Sequence, residues 1–158
     1  MAAAAKKGEL PIYVDWDGVT AAATPTHSTS FKASSFAWDL SAQTPVGGSG
    51  SEKTPTLVLG SLKLGKQFDQ YTPLLLKLLA SDKTSDTASV YIVHVNSKGE
   101  QIEALRYDFS TVHLSDDAQS TEGASQETIT ADFASITVTY FLGTKSVNSW
   151  TYSLTPGA

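Results

Sequence analysis

Apolar and polar positions alternate along most of this chain, and a period of two is the signature of half-buried strands. Ile12, Val14 and Trp16 share one face of a short strand that Gly18 ends. A longer β run over 27–41 sets Phe36, Trp38 and Leu40 on one face and Ser35, Ala37 and Asp39 on the other. Phe31 is out of phase with them, which predicts a bulge or bend near Ala33 and Ser34. Residues 56–64 form a strand, 82–86 a turn and 88–96 another strand, with a hairpin turn at 97–100 leading into a strand over 101–114. After a polar loop over 116–125, two phases follow one another: Ile129, Ala131 and Phe133, then Ile136, Val138 and Tyr140. A bulge is expected near Ala134 and Ser135, and a turn at 143–145 leads to a last strand over 149–154.

One stretch departs from this period. Thr72 suits the N-cap of a helix, and Pro73 suits the first helical position, where no N–H is needed. Leu74, Leu75, Leu76, Leu78 and Leu79 then cover most of the circumference, with Lys77 the one charged interior position. Such a helix is expected to be buried on more than one side, with the five leucines, Phe36 and Trp38 forming a structural core. Full burial is worth ~1.5–3 kcal/mol per leucine. About eight strands and one helix predict a mainly β fold: a two-sheet antiparallel barrel or sandwich with one flanking helix. The whole chain, 1–158, reads as one domain with a flexible tail over 1–10. Residues 43–55 form a long patternless loop, of a kind usually functional or disordered.

Composition narrows the function. Charged residues make up 17% of the chain, below the usual share of about 25%, and Ser, Thr, Gly and Ala replace them. That balance suits a surface that meets other protein or lines a neutral channel. A net charge of −5 and a single arginine, Arg106, argue against nucleic acid. The absence of cysteine removes disulfide and thiolate chemistry and leaves the redox compartment open. No apolar run is long enough to span a membrane, so no membrane insertion is expected. The first seven residues lack the apolar core of a signal peptide, so export by the general pathway is not indicated.

Candidate chemistry is sparse. Asp15 and Asp17, in Ile-Tyr-Val-Asp-Trp-Asp-Gly-Val, have the form of a haloacid-dehalogenase phosphotransferase motif, with Asp116 and Asp117 as a distal acidic pair for magnesium. That chemistry needs a parallel sheet with crossover helices, and no helix follows this strand. Gly60 to Lys66 fits most of a phosphate-binding loop, but Gln67 stands where magnesium needs Ser or Thr, and Leu62 and Leu64 alternate as in a strand. His27, His94 and His113 sit at no metal-ligand spacing. Ser49 lies between glycines without the strand-turn-helix setting of a hydrolase. No catalytic residue, cofactor or metal site is nominated. A secreted carbohydrate-binding sandwich is the other reading, with Trp16 or Trp150 as its aromatic platform.

The order of elements and several motifs resemble the Hcp family, the haemolysin-coregulated tube proteins of bacterial type VI secretion. The most specific match runs from Leu62 through Lys66, Phe68, Asp69, Thr72 and Pro73 to Leu74, an apolar strand followed by the family's Lys-x-aromatic-Asp-x-Ser-Thr-Pro-x-Leu before its helix. His27, Phe31, Phe36 and Trp38 fall at the spacing of the family's His, Ile and paired tryptophans. The stretch 127–140 is similar to its strand pair, and Trp150 resembles its near-terminal tryptophan. Two features depart: the usual Lys-Gly-Glu-Ser after the first strand is replaced by the loop over 19–26, and Ala37 replaces the small polar residue between the paired aromatics.

The resemblance implies a non-enzymatic subunit that forms a homohexameric ring, with rings stacking into a tube whose lumen carries effectors. Its partners would be further rings and the type VI sheath, spike and effector proteins. It would reside in the bacterial cytoplasm during assembly and then be secreted. On that reading Ser35, Ala37 and Asp39 face the lumen, since their strand neighbours need the opposite, core-facing side. The loop residues Val46, Gly47, Gly48, Ser49, Gly50, Ser51, Glu52 and Lys53 would contact the next ring, which would offset the entropy of ordering three glycines.

Overall fold

The structure, a computed structural model, describes residues 10–22, 24, 27–43 and 56–154. Within them the chain is mainly β with one helix. In order come β1 (Ile12–Trp16), β2 (Phe31–Ala33), β3 (Ser35–Ala37), β4 (Leu40–Gln43), β5 (Thr56–Leu59), β6 (Leu62–Lys66) and α1 (Thr72–Ser81). Four longer strands follow: β7 (Thr84–Val95), β8 (Gln101–Gln119), β9 (Glu127–Leu142) and β10 (Lys145–Ser153). All pairings are antiparallel. The main sheet has the order β2-β1-β7-β8-β9-β6-β3, with β10 on β9, and β4 and β5 form a second, two-stranded sheet.

The two ends of the main sheet, β2 and β3, are separated in the chain by Ser34 alone, so the sheet must curl to bring them together. Ser34 donates its N–H to the Gly65 carbonyl at 2.7 Å, which ties the junction to β6. The bend expected near Ala33 and Ser34 is therefore a change of partner, from β1 to β6. Gly65 makes the close approach possible. A Cβ there would lie 2.3 Å from the Ser35 hydroxyl and 2.5 Å from that of Ser125.

The second expected irregularity takes an unexpected form. The buried phase of β9 does switch, from Phe133 to Ile136, but the β8–β9 register is continuous there. Both strands slip together: β8 switches from Phe109 to Val112 around Thr111, whose φ of +52° is the left-handed conformation. The register shift between these strands lies instead between Leu114 and Asp116. Strand β8 also runs on to Gln119 and β7 begins at Thr84, where the polar pattern suggested a loop and a turn. Pairing with long neighbours outweighs the local polar preference.

The core lies inside the curl, with Trp16, Phe31, Leu62, Leu64, Phe109, Ile129 and Ile136 all buried. Trp16 donates its indole N–H to Ser85 at 3.1 Å, so the largest core ring has no unsatisfied donor. The aromatic phase of β3 and the residues after it packs on β8: Phe36 lies 4.8 Å from Tyr107 and 6.4 Å from Phe109, and Trp38 6.2 Å from Tyr107, between ring centres.

Helix α1 lies against β8. Leu75 is fully buried, Leu78 and Leu79 are half-buried, but Leu74 and Leu76 are each 41% exposed. Within the subunit they are not core residues, because the helix packs on one side only. Leu74 and Leu76 flank Leu75 on either side of the helix, and each stays substantially exposed. Leu75→Ala should therefore cost about 3 kcal/mol by opening a cavity, whereas Leu76→Ala should cost less than about 1 kcal/mol, as read from urea unfolding of the dissociated subunit. Equal losses would mean that the helix is buried on both faces.

Candidate assembly surfaces

A buried ion pair sets where α1 begins. Lys66 and Glu127 face each other across β6 and β9, each in phase with apolar neighbours, Leu62 and Leu64 on one strand and Ile129 and Ala131 on the other. Both side chains are fully buried. The Lys66 ammonium contacts Glu127 Oε2 at 3.2 Å, Asp69 Oδ1 at 2.9 Å, Thr72 Oγ1 at 3.2 Å and the Gln67 carbonyl at 3.0 Å. Thr72 donates its hydroxyl to Glu127 Oε2 at 2.7 Å and accepts the Asp69 N–H at 3.1 Å. The Asp69 carboxylate accepts the Tyr71 N–H at 2.8 Å, and Tyr71 donates its hydroxyl to the Thr29 carbonyl at 2.9 Å.

This corrects the expected role of Thr72. The N-cap position is Tyr71, no side chain caps the helix, and the Thr72 hydroxyl serves the buried charges instead. The Thr72 hydroxyl donates its proton to the Glu127 carboxylate, a charge-assisted bond, and its oxygen accepts from Lys66 and the Asp69 N–H instead of from a helix N–H. The pair was visible in the sequence as a Lys and a Glu standing in the apolar phases of two strands, although only the fold shows that the two phases meet.

The network fixes the start of α1, and Leu74, Leu76 and Phe68 are each 41% exposed. A cavity of about 570 Å³ is lined by Leu10, Pro11, Lys32, Gln67, Phe68 and Asp69 among others. A second apolar patch lies on other elements: Tyr140 and Leu142 on β9, Val147 and Trp150 on β10, and Leu154 beyond it are all exposed. Trp150 stacks on Tyr152 with ring centres 6.0 Å apart, and with Trp38, Val138 and Tyr140 it borders a hollow of about 370 Å³. Among the described strands β10 pairs with β9, at the margin of the main sheet. Clustered apolar side chains are a feature that single-chain proteins normally cover.

Ser35, Ala37 and Asp39 are all exposed, on the face opposite the half-buried Phe36 and Trp38. The Asp39 carboxylate lies over Gly60, where a Cβ would come within 1.9 Å of it. Loop residues 46–53 lie outside the described residues.

The alternative sites fare differently. Strand β1 is antiparallel to both neighbours, so Asp15 and Asp17 do not lie on the parallel sheet that the phosphotransferase motif requires. Asp15 accepts a hydrogen bond from Ser30 at 2.7 Å. Burial, and then the Asp15 charge, push the Tyr91 hydroxyl up to about 12, so this pair is a phenol beside a structural carboxylate. Among the described residues no group of His, Asp and Glu is arranged to hold a metal ion. Of the two tryptophans considered for sugar binding, Trp16 is fully buried and Trp150 is exposed.

The fold is thus a curled antiparallel sheet with a small second sheet and one flanking helix. The sequence profile described as "Type VI secretion system effector, Hcp" matches residues 13–140. The chain belongs to this family, whose members are structural proteins of the type VI secretion system. Among solved structures, a type six secretion system protein is similar over 92% of this chain and 96% of its own, with a TM-score of 0.75 and 17% identity. The secreted protein Hcp3 from Pseudomonas aeruginosa matches over 92% of this chain and 98% of its own, with a TM-score of 0.69 and 15% identity. Hcp1 from Salmonella typhimurium matches over 92% and 94%, with a TM-score of 0.67 and 19% identity. No significant match is found among curated protein sequences. Among the described residues no helix is long and apolar enough to cross a membrane.

Substitution of Thr72 separates a capping role from a network role. As a cap, Thr72→Asp would be neutral or better. In the network it brings another carboxylate against buried Glu127, so Thr72→Asp should cost at least about 2 kcal/mol in urea unfolding, Thr72→Val about the same and Thr72→Ser little. A neutral Thr72→Asp would return the hydroxyl to the helix cap.

Proposed function

We propose that this chain is a tube subunit of a type VI secretion system, which closes into a homohexameric ring and stacks through further rings into a tube that carries effectors. The reading is carried by exposed apolar side chains on two separate elements, Leu74 and Leu76 on α1 and Trp150 on β10. Two unlike patches on one chain favour a head-to-tail contact, and head-to-tail contacts generate rings when the rotation closes. Family membership supplies the secretion context.

In this ring Ser35, Ala37 and Asp39 face the lumen, a small and weakly charged surface over which diverse cargo passes without being trapped. The loop Val46–Lys53 contacts the next ring. The sheath, the spike and effectors are the outside partners, met in the bacterial cytoplasm before the assembled protein is secreted. The chain acts by assembly and carries out no catalysis.

The test is the mass of the native protein at micromolar concentration together with its outline in negative stain. The parent should give six subunits, Leu76→Arg should give smaller species that remain folded, and Ala37→Arg should keep the ring while impairing effector retention. A monomeric parent contradicts the reading. The exposed Trp150–Tyr152 stack favours one second reading, carbohydrate binding. A monomer that binds glycans and loses them in Trp150→Ala would support it.

A further inference from the structure

Strands β8 and β9 end in a cluster of carboxyl groups that the assembly reading does not use. Gln119 faces Glu127 and Asp117 faces Ile129, so Asp117 and Glu127 are diagonal neighbours across the two strands. Both oxygens of Asp117 and the Oε1 of Glu127 are buried without a hydrogen-bond donor. The other Glu127 oxygen is committed to Lys66 and Thr72.

The charges do not balance. Lys66 from β6 supplies one positive charge, against Glu127 from β9, Asp117 from β8 and Asp69 from the segment before α1. Gln119 on β8 is the neutral polar neighbour. At the far end of α1, His113 and Asp82 meet at 2.6 Å, but both are substantially exposed. Buried carboxylates in contact resist joint ionisation, and a proton between them removes one charge and satisfies an oxygen on each.

We propose that Asp117 and Glu127 share one proton in the folded subunit, and that its loss loosens the start of α1, making the cluster a pH-sensitive latch on the helix that bears Leu74 and Leu76. In the closed state the Asp117 carboxylic acid donates to Glu127 Oε1, leaving Oε2 free to hold Thr72 and Lys66. When Asp117 loses that proton, its new charge repels Glu127, whose buried counterion among the described residues is Lys66, and the Thr72 contact weakens with it. Gln119 then tempers the new charge at Asp117, and Glu127 Oε1 loses its donor.

Burial first, then the Glu127 charge and a hydrogen bond with Glu127, raise the Asp117 carboxyl from 3.8 to about 6 against the opposing effects of Gln119 and the Lys66 charge. The folded value lies above the unfolded one, so folding takes up a proton between them. The contribution to stability is complete below about 4 and is lost as pH rises through about 6. Acidic conditions close the latch and alkaline conditions open it.

The experiment compares the full-length parent with Asp117→Asn from pH 5 to pH 8. Carbon-13 NMR of the parent should show the Asp117 carboxyl titrating near 6 and not near 3.8. Exchange of the Leu75 and Leu76 amides, corrected for the intrinsic rate, should quicken about tenfold in the parent between those limits and stay level in Asp117→Asn, which mimics the protonated state. A titration near 3.8, or an Asp117→Asn variant with the parent's pH dependence, overturns the latch. Should Asp117→Asn fail to fold, the parent titration decides alone.

Discussion

The ion pair between Lys66 and Glu127 is the constraint on which the other features depend. It joins the last residue of β6 to the first of β9, at the point where the chain leaves the sheet to form α1. Removing two charges from water costs several kcal/mol per ion, and attraction in the interior offsets this only when the remaining donors and acceptors are satisfied. Here Asp69, Thr72 and the Gln67 carbonyl meet the ammonium, and Thr72 meets the carboxylate. A pair of well-packed apolar residues could hold the sheet as firmly. It could not dictate where Thr72 sits, and hence where the helix starts and which leucines turn outward.

From that anchor the exposed surfaces follow. Leu75 must enter the core because α1 is held against β8, and helical periodicity then places Leu74 and Leu76 on other faces. At the opposite edge of β9 the ladder is shared: β6 occupies residues 127–131, and β10 pairs with 135–142. Among the described strands, β9 is the partner of β10. The same sheet is thus closed at Ser34, where Gly65 allows contact, and has β10 at its margin, where Trp150 is exposed. A subunit built this way buries a good core and still leaves two unlike surfaces uncovered.

Much of this was legible in the sequence. Period-two patterning located β1, β9 and the phase of Phe36 and Trp38, and the Thr-Pro pair located the start of α1 to within one residue. What patterning could not supply was partnership. Five leucines in a row look buried all round when the helix is considered alone, but only the packing on β8 distinguishes Leu75 from Leu76. The phase switch in β9 was visible, but its cause, a matched slip opposite Thr111, belongs to two strands at once. Lys66 and Glu127 are 61 residues apart. Each looked like a charged end of a strand until the register brought them together, and the hydroxyl read as a cap proved to be their third partner.

The most direct measurement is a double-mutant cycle on urea unfolding with Lys66→Met, Glu127→Gln and the double variant. Each single change strands a buried partner, so Lys66→Met should cost about 3–5 kcal/mol, and the double variant should lose at least about 2 kcal/mol less than the sum of the two. Additive losses, with helix exchange unaltered in every variant, would contradict the claim that this pair positions α1.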